Sequence, residues 1–258
     1  MVHFHTMKTI LYFYLALLTA FSHAGGASKN ITMATVEWPP FFSSELDKGG
    51  FVSEIARQAL HRKGYTMEID FMPWKRAEYL TRNGDYNGLF GCWVNNDIRK
   101  NFSVSTEIMA SGDGHFLVPS SVEGPVDLQP EDLAGKKVGI VRGYAVSESL
   151  GELMNSGTIV KFEVSRVKQL LDMIKWENRV DIILENYLVA EYYHKKYFPG
   201  SGCQLKKVGK DALDGGLYVC WSNSGNVAQE VRRDFDDAIR EMRKDGTITG
   251  IEKEFGIE

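Results

Sequence analysis

The order of apolar and polar positions in this 258-residue chain changes from segment to segment. Short apolar runs that are rich in β-branched residues, such as ITMATV from Ile31 and VDIILEN from Val180, predict β-strands. Longer segments between such runs, such as GGFVSEIARQALHRKG from Gly49, repeat their apolar residues at the spacing of a helix. Alternation of strands with helices predicts an α/β protein built on mostly parallel sheets.

This alternation runs twice along the chain. The first run reads βαβαβ and ends with the strand DYNGLFGCWV. A polar segment that carries proline and glycine, residues 120–136, precedes a second run, which begins with KKVGIVRG and reads βαβαβα. A last strand, GGLYVCWS, and terminal helices follow. We therefore expect two lobes that face each other across a cleft, with ligand-binding residues at the carboxyl ends of strands.

The first 24 residues have the pattern of a targeting segment. Lys8 gives a basic start, the apolar stretch TILYFYLALLTAF is too short to span a bilayer, and Ser22 and Ala24 are small, as a signal peptidase requires. We predict a signal peptide over residues 1–24, with cleavage after Ala24 and export of the chain. The alternative is an uncleaved membrane anchor.

The charge balance of the chain is acidic. Thirty basic and 34 acidic residues give the whole chain a formal net charge of −4. The predicted signal peptide holds one lysine and no acidic residue, so the mature chain carries 29 − 34 = −5 charges. Such a chain has no general attraction for nucleic acid or anionic lipid, which argues against a nucleic-acid partner.

The three cysteines are Cys92, Cys203 and Cys220. An exported chain meets an oxidising compartment, and an odd number of cysteines leaves at least one unpaired. Because Cys203 and Cys220 flank what could be two neighbouring strands, we favour a disulfide between them. The chain has no CxxC, no Cys/His metal spacing and no HExxH motif, so we predict neither a metal nor a cofactor.

Aromatic side chains stand at two of the predicted strand ends. The stretch EWPPFF contains Trp38 and Phe41 on either side of two prolines, which hold the rings in place at little entropic cost. Trp74 follows Pro73 at the start of the helix PWKRAEYL, and Arg76 lies in its first turn, where a cation opposes the helix dipole. We predict that Trp38 faces a ligand, with a core aromatic as the alternative. For Arg76, a solvated side chain is an equally open interpretation.

Polar and charged groups follow the other strand ends. Arg99 comes shortly after the strand GLFGCWV, and its planar fork can bind a carboxylate through two parallel hydrogen bonds. Gly143 follows the strand KKVGIVR, and the free N–H groups of the next helix could bind an anion. Glu185 and Asn186 end a further strand. The alternatives are that Arg99 is a surface charge, that Gly143 belongs to an ordinary turn, and that Glu185 is solvated.

Ordered features of residues 31–256 resemble the bacterial extracellular solute-binding proteins of family 3, the amino-acid-type periplasmic binding proteins. These features are an aromatic-x-Pro-Phe turn, a Gly-Phe-x-x-Glu helix start, Arg99 followed by NFS, and the segments DLAGKKVGIVRG, RVDIILEN and AIREMRKDGTITGIEKEFG. The resemblance implies a two-lobed Venus-flytrap fold in which each lobe is an α/β sandwich. Lobe 1 would comprise residues 25–118, lobe 2 residues 119–217, and residues 218–258 would return to lobe 1, with hinges near 116–120 and 218–223.

The resemblance also assigns roles to individual residues. Rings at Trp38 and Trp74 would sandwich the ligand side chain, and Arg99 would clamp an α-carboxylate. The helix N-terminus after Gly143 would receive the same carboxylate. The full predicted ligand-binding set is Trp38, Phe41, Trp74, Arg76, Trp93, Asn96, Arg99, Gly143, Tyr144, Ala145, Glu185 and Asn186.

Departures from the family pattern bear on the ligand. Asn186 stands where amino-acid binders usually place an aspartate for the α-ammonium group, so that contact is weakened or passes to Glu185. Residues 92–94, CWV, replace the usual serines or threonines before Arg99. Of the family pattern, the residues that bind the ligand carboxylate are thus kept better than those that bind its ammonium group. We predict a small carboxylate-bearing solute, an amino acid or a relative, with an apolar or aromatic-compatible body.

The implied function is that of a monomeric periplasmic protein that captures this solute by hinge closure and delivers it to the permease of an ABC importer. A sensory module that feeds a membrane receptor is a close alternative. An enzyme of cyclohexadienyl dehydratase type is the alternative from another class. It would need an acid or base in the cleft, for which Glu37, Glu185 and His115 are the candidates.

Overall fold

The computed structural model describes residues 29–110, 113–124, 126–175, 179–200, 204–211, 215–225 and 227–256. The predicted signal peptide and Cys203 lie outside these residues. Within the described ranges, no helix is both long and apolar enough to pass through a membrane.

Ten strands and eight α-helices make up the described part of the chain. The strands are β1 (Lys29–Thr35), β2 (Tyr65–Phe71), β3 (Gly88–Cys92), β4 (Phe102–Val104), β5 (His115–Pro119), β6 (Lys137–Val141), β7 (Val160–Val164), β8 (Ile182–Glu185), β9 (Leu205–Lys210) and β10 (Tyr218–Ser222). The helices are α1 (Phe51–Arg62), α2 (Trp74–Asn83), α3 (Asn96–Asn101), α4 (Glu148–Asn155), α5 (Val167–Lys175), α6 (Tyr187–Tyr197), α7 (Gln229–Lys244) and α8 (Thr247–Glu254).

The strands form two five-stranded sheets, one in each lobe. The order is β2-β1-β3-β10-β4 in lobe 1 and β7-β6-β8-β5-β9 in lobe 2. In each sheet three strands are parallel, and the two strands at the other side pair antiparallel. The predicted α/β class and the two lobes are confirmed, and each sheet is mixed, with one strand, β10 or β5, running opposite to the other four. The antiparallel pairs arise from β5 and β10, the strands that follow the two crossings between lobes.

The chain crosses between the sheets earlier than predicted. Because β5 pairs with β8 and β9, the first crossing precedes His115 and does not follow residue 118. The second crossing lies between β9 and β10. The predicted hinge segments therefore coincide with strands. The two crossing segments are joined by backbone hydrogen bonds, from Ile108 N to Leu217 O and from Leu217 N to Met109 O, both at 2.8 Å.

Helix α7 shows how the apolar pattern positions the returning segment. Its buried residues recur every three or four positions, so that one face of the helix packs against α1 in lobe 1. These residues are Val231, Phe235, Ala238, Ile239 and Met242. The C-terminal helices thus complete lobe 1, as the resemblance implies.

The structure corrects the predicted disulfide. Cys220 is bonded to Cys92, with the two Cα atoms 6.5 Å apart, so the predicted pairing of Cys203 with Cys220 is wrong. Strand β10 lies beside β3, and both cysteine side chains are fully buried between them. The partner was missed because the sheet order, and not proximity in the sequence, brings together two residues that are 128 positions apart.

Candidate ligand-binding site

A small cavity lined by aromatic rings lies between the two lobes. Its lining, which we call the aromatic cavity, consists of Val36, Trp38, Phe42, Trp74, Gly91, Trp93, Tyr144 and Ala145. The first six belong to lobe 1 and the last two to lobe 2. The cavity volume is about 20 Å³, which is room for about one water molecule. An amino acid would require the lining side chains to move apart.

The turn after β1 presents Trp38 to the cavity. Trp38 N donates to Phe42 O at 2.8 Å, and the peptide bond between Pro39 and Pro40 is cis. The ring of Phe41 stacks on Trp38 at 4.5 Å and continues towards Phe51 in the core. Phe41, predicted to bind ligand, thus supports Trp38 from behind, whereas Phe42, absent from the predicted set, lines the cavity.

Glu185 is the one acidic side chain held directly by a lining residue of the aromatic cavity in the described structure. Trp38 Nε1 donates to Glu185 Oε1 at 2.9 Å across the lobes, and Asn186 N donates to the same oxygen at 2.8 Å. Glu185 is completely buried and forms no ion pair with a described lysine or arginine. Burial raises its pKa to about 7, against the opposing effect of the two hydrogen bonds.

The other aromatic residues close the cavity from both lobes. Trp74 Nε1 donates to Gly143 O at 2.9 Å, a second tryptophan hydrogen bond across the cleft. Trp93 meets Trp38 edge-on at 5.6 Å and Tyr144 at 5.7 Å. Tryptophans 38, 74 and 93 are only 3%, 5% and 8% exposed, so the rings fill most of the space between the lobes themselves.

Three polar atoms of this cluster are buried without a hydrogen-bond partner among the described residues: Trp93 Nε1, Tyr144 Oη and Glu185 Oε2. Burial, with a smaller effect from the charge of Glu185, raises the pKa of Tyr144 well above its ordinary value, so Tyr144 stays protonated. Unpaired buried polar atoms are costly, and they cluster at binding sites because a ligand can pair with them. One acceptor-rich carboxyl and two donors are thus grouped around the aromatic cavity.

The predicted carboxylate clamp lies elsewhere. Arg99 and Asn96 are exposed on α3 and, with residues of α4, line a separate groove between the lobes. Helix α3 buries Ile98, which turns the adjacent Arg99 outward. Arg76 is likewise exposed on α2 and absent from the lining of the aromatic cavity. Both arginines follow strand ends in the sequence, but they lie on exposed faces of their helices and do not line the aromatic cavity.

The predicted anion site after Gly143 is also different in the structure. Helix α4 begins only at Glu148, with Ser147 as its N-cap. The carboxylate of Asp211 accepts a hydrogen bond from Ser147 N at 2.7 Å and another from Ser147 Oγ. This helix terminus therefore already holds an anion of the chain itself. Gly143, Tyr144 and Ala145 still reach the cleft, but as the partner of Trp74 and as cavity lining.

Asn186 has a structural role. Its Oδ1 accepts from Leu188 N at 2.9 Å and from Val189 N at 3.4 Å, which caps α6, and its Nδ2 donates to Asp113 O at 3.0 Å. An ammonium contact would have to compete with these bonds. Of the two strand-end residues, Glu185 is thus the better placed for a ligand.

A larger cavity adjoins the aromatic cavity and shares its residue Val36. This outer cavity has a volume of about 350 Å³ and is lined by both lobes. Lobe 1 supplies Glu37 and Glu45, and lobe 2 supplies Arg166, Lys168, Tyr193 and Lys196. Lys196 pairs with Glu45, and Tyr193 Oη donates to Glu37 O at 3.3 Å, so the lobes also touch here.

Substitution of Gly91 should destabilise the wall of the aromatic cavity. Gly91 has a φ of +68°, and an added Cβ would lie 2.5 Å from the ring of Phe42. We expect Gly91→Ala to lower the free energy of unfolding by about 2–4 kcal/mol, from the left-handed backbone and from overpacking. Urea denaturation measures this. The matched control is Gly157→Ala, where φ is +77° and the added Cβ meets nothing within 4 Å; an equal loss in both variants would contradict the contact with Phe42.

Comparisons with known proteins agree on the fold. No family model matches the chain. The arginine-binding extracellular protein ArtP of Bacillus subtilis is 22% identical over 231 residues, which are 89% of this chain and 87% of that protein. An ancestral arginine-binding protein bound to arginine superposes with a TM-score of 0.70 at 22% identity, covering 88% of this chain and 97% of that one.

A third similar structure is an arginine transport-system periplasmic binding protein from Legionella pneumophila, with a TM-score of 0.71 at 19% identity. The superposition covers the whole of that chain and 88% of this one. The chain thus has the two-lobed fold of periplasmic amino-acid-binding proteins, which is the fold that the resemblance of its sequence to extracellular solute-binding proteins of family 3 implies.

Proposed function

We propose that this protein binds an amino acid or a related small solute between its lobes in the periplasm and presents it to an ABC importer. The observation that carries the proposal is the aromatic cavity, which both lobes build around the buried carboxyl of Glu185. A site that is complete only when two lobes meet couples ligand binding to their closure.

The chemistry of the aromatic cavity favours a cationic group in the ligand. Aromatic faces attract cations, and the attraction strengthens when water is excluded. Glu185 adds a carboxyl that is buried without a cationic partner among the described residues, and a ligand ammonium or guanidinium would supply one. The similar proteins whose names state that they bind arginine support the same choice. The ligand carboxylate, in contrast, is not held by Arg99 in this proposal.

Closure would work by differential contact. The ligand would first meet Trp38 and Trp74 on lobe 1, and Tyr144 and Glu185 on lobe 2 would complete its surroundings. Only the closed arrangement offers both sets of contacts, so the ligand shifts the population towards it. The crossing segments before β5 and β10 are the connections about which the lobes would move. A permease would then distinguish the closed form from the open form.

The raised pKa of Glu185 is the one observation that favours an enzyme, since a general acid or base works best with a pKa near the working pH. Glu185 Oε1 already accepts two hydrogen bonds, from Trp38 Nε1 and Asn186 N, which fix the carboxyl in the site. We therefore propose that Glu185 binds and does not catalyse. Turnover of prephenate by the wild-type protein, lost in Glu185→Gln, would reverse this assignment.

A thermal-shift screen of the twenty amino acids against the mature protein tests the proposal. A ligand that binds only the folded state should stabilise it by about 2.7 kcal/mol at a hundredfold excess over its dissociation constant. We expect L-arginine or L-lysine to raise the melting temperature and L-glutamate to leave it unchanged.

Removal of the stacking rings should abolish that shift. We expect Trp38→Ala and Trp74→Ala each to weaken the hit by about 30-fold or more, because buried aromatic anchors dominate binding energies. Tyr79→Ala is the control, since Tyr79 lies on α2 like Trp74 but is 63% exposed. Full binding by both tryptophan variants would exclude the aromatic cavity as the site.

A further inference from the structure

We infer that the binding site extends from the aromatic cavity into the outer cavity, where Arg166 holds a carboxylate at the far end of an elongated, bipolar ligand. This inference rests on the proposed function and adds a second subsite to it. The ligand class is a solute with a cationic group at one end and a carboxylate at the other.

The volumes of the two cavities argue for an extended site. The aromatic cavity, at about 20 Å³, has no room for a whole amino acid, whereas the adjoining outer cavity measures about 350 Å³. Val36 belongs to the lining of both, so the two cavities adjoin at this residue. Both lobes line the outer cavity, which places this second subsite in the same cleft.

Arg166 is the cation of the outer cavity that is free to take a ligand anion. Lys168 Nζ pairs with Asp172 at 2.9 Å, and Lys196 pairs with Glu45. Arg166 is exposed, and its side chain has no hydrogen bond or ion pair with the described residues. Its backbone N–H donates to Gln169 Oε1 at 3.1 Å, and its backbone carbonyl accepts from Gln169 N at 3.0 Å. Its planar fork suits a carboxylate, which it can bind through two parallel hydrogen bonds.

The other candidate anion sites of the cleft are excluded by their positions. Arg99 lines the separate groove beside α4 and does not border either the aromatic or the outer cavity. The N-terminus of α4 is occupied by the carboxylate of Asp211. The two acids that line the outer cavity, Glu37 and Glu45, are already bonded to Ser44 and Lys196. The extended site therefore has the buried acid Glu185 at its inner end and the unpaired Arg166 at its outer end. A bipolar ligand fits this asymmetry in one orientation only.

L-arginine and agmatine, which is arginine without its carboxylate, distinguish the subsites in calorimetric titrations of the mature protein. We expect the wild-type protein to bind L-arginine about 10–100-fold more tightly than agmatine, because only L-arginine has a carboxylate that can form charge-assisted hydrogen bonds. Arg166→Ala should remove most of this preference and leave agmatine binding unchanged. Arg99→Ala should keep it, and so should the control Arg233→Ala, an exposed arginine on α7.

Equal affinity of the wild-type protein for both compounds would overturn the inference, and so would a preference that survives Arg166→Ala or disappears in Arg99→Ala. If the wild-type protein binds neither compound, the inference fails. The proposed function fails with it only if the screen of twenty amino acids also yields no ligand, so the two failures are distinguishable.

Discussion

Replacing both Cys92 and Cys220 with alanine should lower the free energy of unfolding by about 3–5 kcal/mol. The bridge joins β3 to β10 and closes a loop of 128 positions that contains the whole of lobe 2. A cross-link of that span removes much conformational freedom from the unfolded chain. Without it, the segment that returns to lobe 1 is held by the pairing of β10 with β3 and β4, by the packing of α7 and α8, and by side-chain bonds such as that between Tyr65 and Asp234.

Urea denaturation of the mature protein, with and without dithiothreitol, measures this loss. Both cysteines are completely buried, so reductant should reach the bridge only in the unfolded state and should then reproduce the effect of the double variant. Cys203→Ala is the matched control and should keep the wild-type stability and its sensitivity to reductant. If Cys203→Ala alone abolishes that sensitivity, or if the double variant unfolds like the wild type, the Cys92–Cys220 bridge is wrong.

The disulfide also shows where sequence reasoning stopped. Apolar periodicity is local information, and it predicted α1, α7 and the buried strand β8 correctly. The order of strands in a sheet is not local. The position of β10 beside β3, and hence the partner of Cys220, depends on where the chain recrosses between lobes, which no short-range pattern marks.

The candidate site divides in the same way. Trp38, Trp74 and Trp93 lie together around one cavity, as the positions of rigid aromatics at strand ends suggest, and their contact with a ligand stays a prediction. Arg99 was predicted to join them but is turned outward by a six-residue helix whose buried position is Ile98. For Phe42 the sequence leaves pocket and core equally open, and only the turn geometry decides which of the adjacent rings, Phe41 or Phe42, faces the cavity. The sequence pattern can place a side chain near a strand end. It does not specify the rotation of the helix or turn that carries the side chain, and this rotation decides whether the side chain faces the cleft.

Affinity for a cationic ligand should rise with pH because of Glu185. Burial raises the pKa of this carboxyl to about 7, so it is protonated below that pH and must release its proton before it can pair with a cation. We expect the affinity for L-arginine to increase by roughly tenfold or more between pH 5.5 and 7, and to level off above the pKa. Calorimetry in two buffers of different ionisation enthalpy should detect a proton released on binding below pH 7.

The stability of the protein without ligand should change in the opposite direction. Because the pKa of Glu185 is higher in the folded than in the unfolded chain, its contribution is fully present below the unfolded value of about 4.5 and is lost as pH rises through about 7. A cationic ligand should therefore give its largest rise in melting temperature at pH 8. His115, opposite Glu185 in the pairing of β5 with β8, does not reproduce this profile, because burial lowers its pKa whereas burial raises that of Glu185.

Glu185→Gln should flatten both pH profiles and weaken L-arginine binding by about 100-fold, since the ligand cation would be buried without a counter-ion. The control is Glu191→Gln on α6, an acid paired with Lys195 at the surface, which should keep the wild-type profiles. Binding that does not vary with pH in the wild-type protein would show that Glu185 is not the counter-ion. Tight, pH-dependent binding that persists in Glu185→Gln would instead assign the titration to another group and remove the reason to expect a cationic ligand.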